Sequence, residues 1–215
     1  MGAHLPSIPV REWRDRIREA AGGEPLTEEA IELLRRHYEE LRRWNPRLSL
    51  VGPGTTGEVV SRHYGEALAA LPWVPEDAPG ALVDIGSGAG FPGWVLAAAR
   101  PRWRVTLVES QQRKWAFLEA VSRRAGLSVR CLDARVGPRL PAGFPPRVDR
   151  LTLRAVKLPS EAWQLLAAGL ADGARVLWWA GEGLELPAGL ELEARLALPG
   201  SERRHLWVAM SNTNS

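Results

Sequence analysis

Cysteine occurs once in the 215 residues, at Cys131, so no disulfide can close within the chain. A reducing compartment suits such a protein. Histidine occurs only at positions 4, 37, 63 and 205, without the spacing that ligates a metal, so no metal is expected. No apolar run approaches the roughly 18 residues of a membrane span, and the N-terminus lacks the charged-then-apolar pattern of a secretory leader. Lysine is scarce, and arginine supplies nearly all of the 28 basic residues. These absences argue against a disulfide-stapled secreted domain and a membrane protein. A soluble, cytoplasmic monomer with no membrane partner is the expectation. The length suits a single domain with a small extension.

Glycine, by contrast, is concentrated where it matters. The stretch Leu82-Val-Asp-Ile-Gly-Ser-Gly-Ala-Gly-Phe-Pro-Gly93 runs an apolar strand into a glycine turn, with Pro92 where a helix would begin. Gly86, Gly88 and Gly90 let the backbone turn sharply and approach a ligand closely. The free N–H groups of the helix start attract anionic ligand groups. The dinucleotide pattern G-x-G-x-x-G fails when counted from Gly86, because the sixth residue is Phe91. Counted from Gly88 it succeeds, but two residues too late after the strand. The D-x-G-x-G-x-G order is instead that of S-adenosylmethionine (SAM) methyltransferases.

Two acidic residues extend the pattern. Glu109 ends the apolar stretch Arg104–Glu109, at the distance where a carboxylate accepts from ribose hydroxyls and repels a ribose phosphate. Asp133 follows Ser128–Leu132 and is placed to accept from an adenine amino group. Each lies at the carboxyl end of a strand, where open α/β sheets bind ligands.

Residues 1–75 read as a helical preface and residues 76–215 as the catalytic domain. Trp13 and Ile17 mark a helix over 11–21. Thr27 caps a second, with Ile31, Leu34, Tyr38, Leu41 and Trp44 on one face, stopped at Asn45-Pro46. A third spans 58–71. From residue 81 onward strands alternate with helices: strands over 81–85, 104–109, 128–132, 148–153 and 174–180, helices over 92–100, 111–125 and 160–171. Strands over 190–197 and 204–210 close the chain as an antiparallel hairpin at a sheet edge. This describes an α/β fold, a Rossmann-like, doubly wound and mostly parallel sheet. The ten tryptophans read mainly as core.

Charge is uneven. Residues 100–157 hold 14 basic against 4 acidic residues in a chain whose net charge is only +3. Such an excess reads as a footprint for an acidic polymer.

Taken in order, the motifs resemble those of the RsmG (GidB) methyltransferases, which methylate one guanine at N7 in small-subunit ribosomal RNA. The resemblance covers residues 27–210. Its pieces are Trp44-Asn45 with Leu48 and Leu50, Arg62-His63 with Leu68, and the glycine loop with its trailing Pro-Gly. Val108-Glu-Ser110 with Arg113-Lys114 and Phe117-Leu118 follows, then Leu153-Arg-Ala155 and Arg204-His-Leu206. The resemblance implies SAM held by Asp84, Gly86, Ser87, Gly88, Gly90, Phe91, Glu109, Ser110, Asp133, Ala134 and Arg154. It implies Arg154 as the catalytic residue, meeting the RNA phosphate or target base. Arg62, His63, Arg113, Lys114 and Arg204 are implied as RNA contacts, with ribosomal RNA or the small subunit as partner. His63 also reads as a hydrogen-bonded packing residue.

The chain departs from the family at Ser49, Val51, Glu66-Ala67, Gly137 and Ala180. These differences keep another acceptor open, as they do a non-catalytic SAM- or RNA-binding role in ribosome assembly. Guanine N7 carries an in-plane lone pair, so the absence of an evident general base is compatible with the reaction. Neither a D/N-P-P-Y/F loop for amine methylation nor a cysteine nucleophile is present after the relevant strands.

Overall fold

A seven-stranded sheet in the order β3-β2-β1-β4-β5-β7-β6 organises the protein. The computed structural model describes residues 2–201 and 203–211. The strands are β1 (Ala81–Ile85), β2 (Arg104–Glu109), β3 (Arg130–Asp133), β4 (Val148–Arg154), β5 (Leu170–Gly181), β6 (Leu190–Ala197) and β7 (Arg204–Ser211). The first five pair in parallel, and the β6–β7 hairpin joins β5 antiparallel through β7. β1, the strand before the glycine loop, is buried at every residue, as a parallel strand covered on both faces requires.

The helices are α1 (Val10–Ala20), α2 (Glu28–Leu48), α3 (Glu66–Leu68), α4 (Gly93–Ala99), α5 (Gln112–Ala125) and α6 (Ser160–Ala168). Thr27 caps α2, its hydroxyl accepting from the Ala30 N–H at 3.1 Å. The first two helices do not form a core of their own. Trp13, Ile17, Leu34 and Leu41 share one apolar cluster with Trp94 and Leu96 of α4, Phe117 of α5, and Leu177 and Val208 of the sheet. Trp13, Trp94, Trp103, Trp163, Trp179 and Trp207 are buried, in keeping with a core role for most of the tryptophans.

Three boundaries differ from the sequence reading. Helix α2 does not stop at Asn45-Pro46 but carries Pro46 inside it to Leu48. Proline forfeits one hydrogen bond and disfavours helix in the residue before it. Here the buried Asn45 side chain holds both ends of the turn, donating to the Ala3 carbonyl at 2.6 Å and accepting from the Val51 N–H at 2.7 Å. The chain leaves only at Ser49, in the left-handed region at φ 51°. The expected helix over 58–71 is instead a 3-10 segment (Pro53–Glu58), a π-helical segment (Val60–Gly65), the short α3, and a 3-10 turn (Leu71–Trp73). Residues 59–68 stay helical without a break, the π-helical turn lying inside the stretch, and Tyr64 through Leu68 are all buried. Finally, α6 ends at Ala168 before Gly169, and β5 begins at Leu170.

The basic stretch 100–157 does not form one face. Parallel strands and their return helices carry the chain alternately between the two ends of the sheet. Arg104 and Arg130 open β2 and β3, and Arg123 and Arg124 end α5, at the edge remote from the glycine loop. Arg100 is buried there, paired with Glu24 at 2.9 Å. Arg113, Lys114, Arg135, Arg154 and Lys157, which end a strand or closely follow one, belong to the loop's edge.

Candidate functional site

The carboxyl edge of β1 turns into the loop exactly as glycine permits: Gly86, Gly88 and Gly90 have φ of 72°, 56° and 90°. A Cβ on Gly86 would lie 2.5 Å from Val156 Cγ2, and one on Gly90 2.8 Å from Trp94 Cβ and 3.0 Å from His37 Nε2. At Gly88 nothing lies closer than the Gly86 carbonyl, at 3.8 Å, leaving that stretch of backbone open.

Asp84 supports this loop from beneath. It is 1% exposed, and its carboxylate accepts from the Thr152 hydroxyl at 2.7 Å and the Gly93 N–H at 3.1 Å. Burial raises its pKa to about 6. Ser87 turns its hydroxyl back onto the Asp84 carbonyl at 3.0 Å. Glu109 closes the loop from the side, accepting from the Gly88 N–H at 2.8 Å and the Gln111 N–H at 2.7 Å. Asp133 is exposed beside it, in register with Glu109 across β2 and β3. Ser110 is exposed, and the Ala134 N–H donates to the Glu109 carbonyl at 3.0 Å.

His37 of α2 anchors the loop's far side. Its Nε2 lies 2.8 Å from the Ala89 carbonyl, and its Nδ1 2.6 Å from the Tyr64 hydroxyl. A carbonyl only accepts, so the Nε2–H donates to Ala89 and Nδ1 accepts from Tyr64. Complete burial lowers the His37 pKa to about 4, which keeps the ring neutral. Phe91 packs on His63 with ring centroids 5.1 Å apart and edge-on to Tyr64 at 5.0 Å.

In front of Gly86 and Gly88 lies a cleft of about 530 Å³, shared with Arg62, His63, Glu66, Arg154, Ala155 and Arg204. Arg154 ends β4 opposite Trp179, and Arg204 opens β7 opposite Gly181. Both reach Glu66: Arg154 Nη2 donates to Oε2 at 2.5 Å, and Arg204 Nη1 to Oε1. The same Arg154 nitrogen lies 3.3 Å from the Arg62 carbonyl and from His63 Nδ1. Since a guanidinium only donates, His63 Nδ1 accepts and its Nε2–H faces the Thr55 hydroxyl at 3.1 Å. Burial and the neighbouring arginines lower the His63 pKa to about 3. The ring is therefore a neutral packing and hydrogen-bonding group. Burial raises the Glu66 pKa, and the guanidiniums of Arg154 and Arg204 oppose that shift. Three guanidiniums against one carboxylate leave the cleft wall with an excess of positive charge.

The fold thus gathers Arg62, His63, Arg154 and Arg204 with the glycine loop. Arg113 and Lys114 sit instead in the first turns of α5, outside this cleft. Sequence reasoning did not single out Glu66 or His37 as site residues, nor Trp179, whose indole N–H donates to the Glu66 carbonyl at 2.8 Å. Two signals existed. Glu66 is the one charge inside the buried run Tyr64–Leu68, and His37 falls three residues after Leu34 and four before Leu41 on the apolar stripe of α2.

The backbone fits SAM. Positive φ at Gly86, Gly88 and Gly90 turns the loop back on itself, Gly88 leaves its backbone open toward the cleft, and the carboxyl groups of Glu109 and Asp133 line the adjoining strand ends. A carboxylate has about four acceptor sites, so Glu109 can hold Gly88 and still accept from a ribose.

A family model described as GidB, rRNA small subunit methyltransferase G, matches residues 30–186. A ribosomal RNA small subunit methyltransferase G of Hyphomonas neptunium is 36% identical over 149 residues, 69% of each chain. One from Anaeromyxobacter dehalogenans is 34% identical over 169 residues, 79% of this chain and 77% of that one. One from Methylobacterium radiotolerans is 45% identical over 125 residues, 57% of each chain. Among solved structures, a SAM-dependent methyltransferase from Aquifex aeolicus superposes with a TM-score of 0.58 at 15% identity, covering 76% of this chain and 96% of that one. That likeness shows the fold alone: a Rossmann-like methyltransferase fold, as the alternation of strands and helices implied.

Proposed function

The chain belongs to the rRNA small subunit methyltransferase G family, and on that footing we propose that it transfers a methyl group from SAM to N7 of a guanine in small-subunit ribosomal RNA. The observation that carries this reading is one cleft that joins Gly86 and Gly88 of the loop to the guanidiniums of Arg62, Arg154 and Arg204. When bound, SAM supplies a methyl group activated by its sulfonium.

The chain's own residues bind, orient and exclude water. Gly86, Gly88 and Gly90 carry the methionine end, Glu109 the ribose and Asp133 the adenine amino group. Asp84 and Ser87 keep the loop in shape, Phe91 walls it off from solvent, and Ser110 and Ala134 line the strand ends. Arg154 meets the target base or its phosphate, flanked by Arg62, His63 and Arg204. Arg113 and Lys114 meet RNA backbone beyond the cleft. Guanine N7 needs no deprotonation before it attacks, so alignment and burial carry the catalysis. A neutral His63 and an ion-paired Glu66 are consistent with a site that abstracts no proton. Residues 1–75 act as an extension that shapes RNA docking, with residues 76–215 as the methyltransferase domain. The expected setting is the cytoplasm. No described helix is long and apolar enough to cross a membrane.

The test is methyl transfer from labelled SAM to small subunits and to protein-free RNA from cells lacking this gene. Label recovered as 7-methylguanine at one position supports the reading. SAM binding without any incorporation would point to a changed acceptor or a binding role.

A further inference from the structure

The assignments above leave one buried group in the cleft without a role in the chemistry, the Glu66 carboxylate. Glu66 is 1% exposed and lies neither on the sheet nor on the glycine loop. Its two oxygens are divided between two strands: Oε2 accepts from Arg154 at the end of β4, and Oε1 from Arg204 at the start of β7. β5 lies between those strands, and its Trp179 fixes the Glu66 backbone through the indole N–H at 2.8 Å. Without the carboxylate, two guanidiniums would face each other across this gap and repel. With it, each is held by a charge-assisted hydrogen bond.

The pairing is incomplete in an informative way. Arg154 Nη2 is used by Glu66, His63 and the Arg62 carbonyl, whereas Arg154 Nη1 is buried and has no hydrogen-bond partner among the described residues. A buried cationic N–H without an acceptor is unfavourable, and an acceptor brought by a substrate relieves it. We infer that Glu66 is a positioning residue: it pins Arg154 and Arg204 so that the buried, unpaired Nη1 of Arg154 is uncovered and bonded when an oxygen of the RNA enters, a phosphate oxygen or the O6 of the target guanine. This rests on the RNA methyltransferase reading.

Glu66→Gln keeps the size but loses the charge, and Glu66→Asp keeps the charge but shortens the reach to two guanidiniums. Each is measured for kcat on small-subunit RNA, for Kd of RNA and of SAM, and for folding by circular dichroism. The expected result is a kcat at least tenfold lower in Glu66→Gln, with SAM affinity unchanged and RNA affinity no weaker, because a negative charge has been removed. Glu66→Asp should fall between it and wild type. A merely structural role would lower SAM binding, RNA binding and kcat together, and that result, or an undiminished kcat, overturns the proposal. Absence of transfer by the wild type is seen before any variant and overturns the RNA reading along with this inference. RNA carrying 2-aminopurine at the mapped guanine keeps every phosphate but lacks O6. A loss in wild type that disappears in Arg154→Lys supports the inference with O6 as the acceptor, no loss in wild type supports it with phosphate, and an equal loss in both counts against O6 as the partner of Arg154.

Discussion

Glu109 and Gly88 are bound directly, the carboxylate accepting the Gly88 N–H at 2.8 Å. The acidic residue that ends β2 thereby shapes the loop it flanks, in addition to the ribose contact proposed for it. Its removal should act twice, through the lost ribose contact and through a loosened loop. Glu109→Gln should weaken SAM binding at least tenfold, since one hydrogen bond to a charged group contributes about 1.5–3 kcal/mol. Calorimetric titration with SAM checks this, and unchanged affinity would remove Glu109 from the cofactor site.

The loop glycines should differ from glycines elsewhere with the same backbone angle. Gly90 and Gly126 have φ of 90° and 74°. A Cβ on Gly126 meets nothing within 4 Å, whereas one on Gly90 meets Trp94 and His37. Gly126→Ala should therefore cost only the left-handed penalty of about 1–2 kcal/mol. Gly90→Ala should cost about 1–3 kcal/mol more through overpacking. Urea unfolding of both variants makes the comparison, and equal losses would contradict the crowding at Gly90.

Arg154→Ala should retain SAM binding and lose methyl transfer. It also strips a buried carboxylate of one partner, and breaking a buried pair typically costs about 3–5 kcal/mol. Arg154→Lys is the gentler companion, keeping a charge but losing the fork. Turnover at the wild-type rate in the lysine variant would show that bidentate geometry at Arg154 is dispensable.

His37 should lower stability in mild acid. Its folded pKa is lowered to about 4 by burial, so between the unfolded value near 6.5 and that value only the unfolded chain takes up its proton. Stability present above pH 6.5 is lost as pH falls through this window, at about 1.4 kcal/mol per pH unit. His63, lowered to about 3, acts in the same direction. Asp84, raised to about 6, acts oppositely, because the folded state binds its proton first. Glu66, also raised by burial, acts with Asp84, so the slope between pH 6 and 4 is the balance of the two histidines against the two carboxyls. Replacing His37 with Gln should remove about one proton's worth of acid destabilisation from the slope, and an unaltered slope in chemical denaturation would refute the assignment.

RNA binding should weaken steeply with salt, by an amount that depends on which basic residues are removed. Each lost phosphate contact lowers the slope of log K against log salt by about 0.7–0.9. Arg113→Ala with Lys114→Ala should lower it, while Arg104→Ala with Arg130→Ala, at the opposite sheet edge, should leave it unchanged. The reverse pattern would place the RNA on the remote edge.

Local patterns in the chain were sufficient for much of this protein. The alternation from residue 81, the glycine loop after β1 and the closing hairpin are written in short-range periodicity and turn chemistry. Each depends on neighbours within a few positions. Glu109 and Asp133 were legible for the same reason, as the last residues of recognisable strands. Where distant residues compete with local preference, the tertiary structure decided. Asn45 holds α2 helical through Pro46 by bonds to Ala3 and Val51, and the stretch before α3 takes a π-helical turn over Val60–Gly65. The basic stretch, continuous in sequence, is divided because parallel strands return the chain to opposite edges. In the sequence Glu66 stood out only as a departure from the family pattern. Its meaning comes from two arginines 88 and 138 positions away, brought to it by the sheet order β4-β5-β7, which no spacing along the chain expresses.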